Sequence, residues 1–321
     1  MRKTLNYVNL KGTIMANKVV VLGSLNVDSI LRIPRLPLPG ETMEMNDKSS
    51  APGGKGANQA VAAARAGAQT AFIGKVGADD GASVLREALE SDGISTEFVT
   101  TDEQRGSGQA YILLQESGQN SILVYAGSNQ SLSKEDVDAA KDIIKDADFL
   151  ISQFETPIET TTYAFEYAQS VGVTTILNPA PAVPTMPADL LKVTDLICPN
   201  ETEAATITGI EVTDAASMLL NAAKFAQMGC KELIITVGSR GAFYANQDGS
   251  GFVDAFKVKA VDTTAAGDTF LGALSSQLKT DFSNMRDAIV FANHASSLTV
   301  QRLGAQPSIP MLEEIKAEYN K

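Results

Sequence analysis

Short runs of β-branched and aliphatic residues alternate with helix-length stretches along most of this chain, and that alternation constrains the fold more than any other feature. Two parallel strands cannot be joined by a tight turn and need a crossover, usually a helix, so the pattern reads as stacked βαβ units. The expected class is α/β: a central, mainly parallel sheet with helices on both faces, plus a small β-sheet lid. Strands are predicted at residues 18–22, 70–76, 149–152, 174–177, 196–198 and 232–237. Helices are predicted at 56–66, 80–91, 157–170, 202–208 and 215–227, then at 267–278 and 284–300 ahead of a loop over 302–308.

Two stretches break the alternation. Residues 29–49 are rich in proline, and residues 107–125 alternate polar with apolar positions around Ser117-Gly118-Gln119-Asn120. Both read as antiparallel strands, the second as a hairpin of 109–114 with 121–125. Their shared character suggests one small sheet built from two excursions, about 27–50 and 106–126, able to cover a substrate and exclude water.

With 321 residues and 44% hydrophobic content, the chain can bury the core of one large domain with attachments, or of two domains. A net charge of -12 argues against an extended nucleic-acid footprint, so an anionic substrate needs local help from backbone N–H groups, a few cations or a divalent metal. Cys198 and Cys230 stand far apart in no metal-ligand pattern, which suggests reduced thiols filling a core in the cytoplasm. Residues 4–14 are too polar for a signal peptide, and nowhere do 18 apolar residues run together, so no membrane span is expected. Residues 1–16 read as a loose N-terminal extension, and 17–321 as the working domain.

Several motifs are missing. Neither Gly54-Lys55 nor Gly74-Lys75 has the spacing of a P-loop, and no G-x-G-x-x-G or G-x-S-x-G occurs. His294 is the single histidine and reads as a packing residue in a helix. What remains is a set of polar segments at strand ends and helix starts. Val261-Asp262-Thr263-Thr264-Ala265-Ala266-Gly267-Asp268 puts a carboxylate at the glycine-marked opening of an apolar helix, where unsatisfied N–H groups can hold an anion. Asp268 there is either an ordinary early-turn aspartate or a base for an attacking hydroxyl. Ala51-Pro52-Gly53-Gly54-Lys55-Gly56-Ala57-Asn58 lets the backbone approach a small polar ligand, or is a plain turn. Asn26 and Asp28 follow the first strand and fall on one side of an extended chain, suiting a polyol, or form an Asx loop. Pro199-Asn200-Glu201-Thr202-Glu203 opens a helix with an amide and two carboxylates, which serve a phosphate or metal or merely favour the helix start. Thr236-Val237-Gly238-Ser239-Arg240-Gly241 joins two strand-like runs and offers hydroxyls, glycines and Arg240 to nucleotide phosphates, or is only a connection.

Taken in this order, these segments resemble the ribokinase branch of the PfkB carbohydrate kinases, from about Asn17 to the C-terminus. The resemblance implies transfer of the ATP γ-phosphate to the 5-hydroxyl of D-ribose, with Mg²⁺, activation by K⁺ and a homodimer joined through the β lid. It implies sugar contacts at Asn26, Asp28, Gly54, Lys55, Gly56, Ala57, Asn58 and Glu155, with Asp268 as catalytic base and the backbone of Ala265, Ala266 and Gly267 as anion hole. Nucleotide contacts are implied at Asn200, Glu203, Thr236, Val237, Gly238, Ser239, Arg240, Gly241, Gly267 and Asn293. A monovalent-cation loop is implied at Asp262, Thr264, Thr299, Arg302, Gly304 and Ser308, several through backbone carbonyls. Across the wider family the position of Ala265 is usually glycine; ribokinases often carry alanine there. Rival readings are a kinase of deoxyribose, fructose or a nucleoside such as adenosine, and a non-catalytic sugar-binding regulator. A chain without tryptophan is poorly equipped to stack a nucleobase, and a regulator is expected to have lost Asp268, Gly267, Asn200 or Glu203.

Overall fold

The computed structural model describes residues 16–319. The expected extension at 1–16 therefore lies, apart from Ala16, outside the described residues.

The chain begins with β1 (Lys18–Leu22), then leaves the main body as β2 (Asn26–Ile33) and β3 (Asp47–Gly53). It returns through α1 (Lys55–Arg65), β4 (Gln69–Gly77), α2 (Asp80–Ser91) and β5 (Ser95–Asp102). A second excursion forms β6 (Gly108–Gln115) and β7 (Asn120–Tyr125). After the short helices α3 (Lys134–Ala139) and α4 (Lys141–Lys145) come β8 (Phe149–Ser152), α5 (Ile158–Ser170), β9 (Thr174–Leu177), α6 (Ala188–Lys192) and β10 (Leu196–Ile197). Then follow α7 (Glu201–Thr208), α8 (Ala215–Met228), β11 (Glu232–Thr236), β12 (Gly241–Asn246) and β13 (Gly249–Asp254). Helices α9 (Ala266–Gln277), α10 (Met285–Thr299) and α11 (Leu312–Tyr319) complete the chain.

The main sheet runs β13-β12-β11-β10-β9-β8-β1-β4-β5, parallel from β11 to β5 and antiparallel at the β11-β12-β13 edge. Its central strand shows why the sequence folds this way: Val19 and Val21 of β1 point into one buried cluster with α1, α9 and α10, while Val20 and Leu22 point into the other, with α5 and α8. A strand covered on both faces must be apolar at every position, which is how β1 reads.

The second sheet, β3-β2-β6-β7, corrects one expectation. Its outer pairs are antiparallel, but β2 and β6 run parallel, from Asn26 opposite Gly108 to Ile33 opposite Gln115. The reason is topological: β1 and β5 are parallel strands of the main sheet, and the chain runs out of the carboxyl end of each, so both excursions set out in the same direction.

Candidate active site

The carboxyl ends of β9, β10 and β11 face a cavity of about 200 Å³ lined by Lys55, Asn178, Cys198, Asn200, Glu203, Thr236, Thr263, Asp268 and the first turn of α9. Parallel sheets gather ligands at this end of their strands. Glycine lets the first elements close in. Gly54, at φ 93, turns the chain into α1, and a Cβ on Gly56 would lie 2.5 Å from the amide nitrogen of Ser24. The start of α1 is thereby laid against the β1–β2 crossover, where the Ala57 amide donates to the Ser24 carbonyl at 3.0 Å. Glu155, on the loop after β8, completes this corner by accepting from Ser24 Oγ and, at 3.0 Å, from the Lys55 amide.

Asn26 and Asp28 do share a side of β2. Asn26 Oδ1 accepts from Asn129 Nδ2 at 2.8 Å, while the Asp28 carboxylate lies over Gly53, where a Cβ would collide with it. Burial, then the neighbouring charges of Glu155 and Asp268, push the Asp28 carboxyl up to about 7. Lys55 moves upward too, chiefly because of Asp268, and burial raises Glu203.

The Asp28 shift has a consequence for stability. The native carboxyl keeps its proton to about pH 7, whereas the unfolded one loses it near 3.8, so the stability this group contributes is lost as pH rises through that window. The penalty at pH 8 is at most about 4 kcal/mol. Asp28→Asn is therefore expected to raise the unfolding temperature of the sugar-free protein at pH 8 and to change it far less at pH 5. Equal shifts at the two pH values, measured by calorimetry, would refute this assignment.

At α9 the N-cap residue Ala265 has φ 59 and no side chain caps the helix. First-turn amides lack intrahelical acceptors, so this opening can present N–H groups to the cavity, with that of Ala266 donating to the Thr263 carbonyl at 3.3 Å. A Cβ on Gly267 would meet nothing within 4 Å. Asp268 is buried, and its carboxylate is bound not to its own helix end but to α1: Asn58 Nδ2 donates to Oδ2 at 3.1 Å and Gln59 Nε2 to Oδ1 at 3.0 Å.

Asn200 and Glu203 form a reciprocal cap on α7, each side chain accepting at 2.8 Å from the other's backbone amide, while Glu203 also lines the cavity. Thr236 lines it as well, but Val237, Gly238, Ser239, Arg240 and Gly241 do not. Arg240 pairs with Glu201 and donates to the Thr213 carbonyl at 3.3 Å. Asn293 spends its amide on the carbonyls of Val253 and Asp254, each at 3.2 Å. His294 packs its ring at 4.8 Å from that of Phe256, and both cysteines are buried, as the sequence suggests.

Behind the α9 opening, Asp262 ties two loops together. Its Oδ1 accepts from the amide and hydroxyl of Thr264 at 2.9 and 2.6 Å, and its Oδ2 from the Gly304 amide at 2.9 Å. Thr299 Oγ1 donates to Thr269 Oγ1 at 3.1 Å, Arg302 pairs with Glu314 at 2.5 Å, and Ser308 Oγ donates to the Ala305 carbonyl at 2.7 Å. From this region's first loop Thr263, between Asp262 and Thr264, reaches the cavity together with the N-cap residue Ala265.

Sequence reading missed a group of amides: the buried Gln59, Gln153 and Asn129, and the half-buried Asn178 on the cavity wall. A signal existed for two of them. Gln59 directly follows Asn58 at the head of the apolar run of α1, and Asn178 directly follows a strand at its carboxyl end.

For a divalent ion the donor chemistry is thin: among the described residues no three His, Cys, Asp or Glu side chains cluster. Of the two cavity carboxylates, Asp268 is bound by Asn58 and Gln59, which leaves Glu203 and suits Mg²⁺ carried mainly by phosphate oxygens and water. Of the residues implied for a monovalent-cation loop, Asp262, Thr264, Thr299 and Ser308 carry side-chain oxygens, while the Arg302 guanidinium is paired with Glu314.

A parallel sheet whose strand ends face an uncapped helix start, with a buried carboxylate beside it, is matched by the comparisons to phosphotransferases of the α/β sugar-kinase type. The chain belongs to the pfkB family of carbohydrate kinases, whose model matches residues 16–312. It is 49% identical over 302 residues to the ribokinase of Staphylococcus aureus, covering 94% of this chain and 99% of that one. It is 52% identical over 305 residues to the bifunctional ribokinase/ribose-5-phosphate isomerase A of Fructilactobacillus sanfranciscensis, covering 95% of this chain but spanning only 56% of that longer relative. The structure of Arabidopsis thaliana ribokinase complexed with ribose and ATP superposes with a TM-score of 0.88 at 31% identity, covering 94% and 98% of the two chains.

Proposed function

We propose that this protein phosphorylates D-ribose at its 5-hydroxyl with ATP, giving ribose 5-phosphate and ADP. The observation that carries the reading is the Asp268 carboxylate held by α1 beside the uncapped opening of α9, in a chain closely similar to ribokinases over nearly its whole length.

In this reading Asn26, Asp28, Gly54, Gly56, Asn58 and Glu155 hold the sugar. Asp268 accepts the proton of the attacking hydroxyl as the new bond forms from sugar oxygen to γ-phosphorus and the bond to the β-phosphate oxygen breaks, releasing ADP. The amides of Ala265, Ala266 and Gly267 and the Lys55 ammonium stabilise charge on the transferring group. Asn200, Glu203 and the segment from Thr236 to Gly241 attend the nucleotide. Mg²⁺, held by the phosphates with help from Glu203, would neutralise phosphate charge, and K⁺ near Asp262 and Thr264 would steady the α9 opening from behind.

The β3-β2-β6-β7 sheet acts as the lid. Ile122, Leu123, Val124 and Tyr125 on β7 are 54, 61, 59 and 50% exposed, an apolar strip that supports a homodimer formed through this sheet. No helix among the described residues is long and apolar enough to cross a membrane, and the two buried thiols are in keeping with a cytoplasmic enzyme.

An ATP-consumption assay over pentoses, hexoses and nucleosides, run in K⁺ and again in Na⁺, tests the whole reading. Ribose is expected to give the highest kcat/KM, with faster turnover in K⁺. Preference for another sugar would reassign the substrate, no turnover on any would point to a regulator, and indifference to K⁺ would remove the cation site.

A further inference from the structure

Both oxygens of Asp268 accept from side-chain amides of α1, and one of these donors belongs to a longer chain of amides. Gln59 is 0% exposed. Its Nε2 donates to Asp268 Oδ1 at 3.0 Å and to Asn178 Oδ1 at 3.1 Å, while its Oε1 accepts from Gln153 Nε2 at 2.7 Å. Asn178 is itself oriented by donating to the Cys198 carbonyl at 3.0 Å. Every link favours one orientation of the Gln59 amide. Turned over, its oxygen would face two other oxygens, those of Asp268 and Asn178, and its nitrogen would face the donor of Gln153. A buried polar group with mismatched partners is costly, so the chain sets the amide one way.

The consequence for Asp268 is geometric. With Oδ1 tied to Gln59 and Oδ2 to Asn58, the carboxylate cannot rotate about its terminal bond without breaking two hydrogen bonds in a water-poor interior. Each oxygen still has a lone pair to offer the cavity.

We propose that Gln59 is a positioning residue for phosphoryl transfer: it fixes the plane of the Asp268 carboxylate toward the sugar hydroxyl, and Gln153 fixes Gln59. This rests on the reading of Asp268 as the base. Lys55, Asp28 and Glu203 set the charge around that carboxylate, while its hydrogen-bond donors are the two amides of α1.

The test uses Gln59→Met, which keeps the length and removes the amide, with Gln153→Met and the double variant. Single-turnover rates at saturating ribose and ATP are read beside ribose affinity by calorimetry and the unfolding temperature. Gln59→Met is expected to slow the chemical step by about 10- to 100-fold, the range for a misplaced catalytic group, with ribose affinity within roughly threefold of the parent. Gln153→Met is expected to slow it by a few fold, and the double variant to match Gln59→Met, because Gln153 then has nothing left to orient. An unchanged rate in folded Gln59→Met, a loss confined to ribose affinity, or losses that multiply in the double variant would each overturn the proposal. If Gln59→Met does not fold, Gln153→Met decides alone: slower chemistry at unchanged affinity upholds it and a parental rate overturns it. Asp268→Asn separates the two ideas. Near-normal turnover there removes the base itself, whereas an inactive Asp268→Asn beside a fully active Gln59→Met removes only the positioning role.

Discussion

Asp268→Asn is expected to lower kcat by on the order of 10²- to 10⁴-fold, the range for a lost general base, while ribose still binds. The substitution is nearly isosteric. Asn58 and Gln59 are both donors to the carboxylate, so an asparagine satisfies one of them with its oxygen and presents its own NH₂ to the other. A small drop in stability therefore accompanies a large drop in turnover, and calorimetric ribose binding separates the two. Turnover within a few fold of the parent would mean that the proton leaves by another route and that Asp268 serves α1–α9 packing alone.

Gly272→Val is expected to produce the largest structural effect. Gly272 lies one turn beyond Asp268 on the face of α9 that meets α1, where a Cβ would stand 2.5 Å from Ala62 Cβ, 2.5 Å from the Gln59 carbonyl oxygen and 2.7 Å from the Ala63 amide nitrogen. Two of these atoms belong to backbone in the middle of a buried helix, so the clash cannot be relieved by turning a side chain. Overpacking of this kind costs about 1–3 kcal/mol, or roughly 1.5–4.5 °C in unfolding temperature for a chain of 321 residues. It also levers α9 away from α1, and with it Asp268 from Asn58 and Gln59. A shift of about 1 Å at a reacting group costs on the order of 10²-fold in rate. Thermal unfolding and kcat measured on one preparation check both effects. A parental unfolding temperature would show that the two helices do not pack as closely as described.

Much of the scaffold was legible because it depends on short-range pattern. β1, β8, β9 and α2 lie where periodicity puts them, α8 differs from expectation by a residue at one end, and α1, β4 and α9 by a residue at each end. Strand β5 did not stand out, since Ser-Thr-Glu-Phe-Val-Thr-Thr-Asp is largely polar and serves as the edge of the main sheet, with one face turned to solvent. The two-residue β10 falls within the strand expected at 196–198 and ends one residue short of it, its pairing set by its neighbours β9 and β11. Pairing within the small sheet was misread, because strand direction follows from where the chain leaves the main sheet and no local signal encodes that.

The candidate site divides along the same line. By itself the sequence determined which segments could carry chemistry: a carboxylate at a glycine-marked helix start, glycines around Lys55, polar residues directly after strands. Only the tertiary structure decided what those groups touch. It took Arg240 out to Glu201, spent Asn293 on the carbonyls of β13, and joined Asp268 to Asn58 and Gln59, 210 and 209 positions away in the chain. Helix caps, turns and periodicity act over a few residues and are written locally. A hydrogen bond between α1 and α9 exists because two helix surfaces pack closely enough at Gly272, and that closeness belongs to the whole fold.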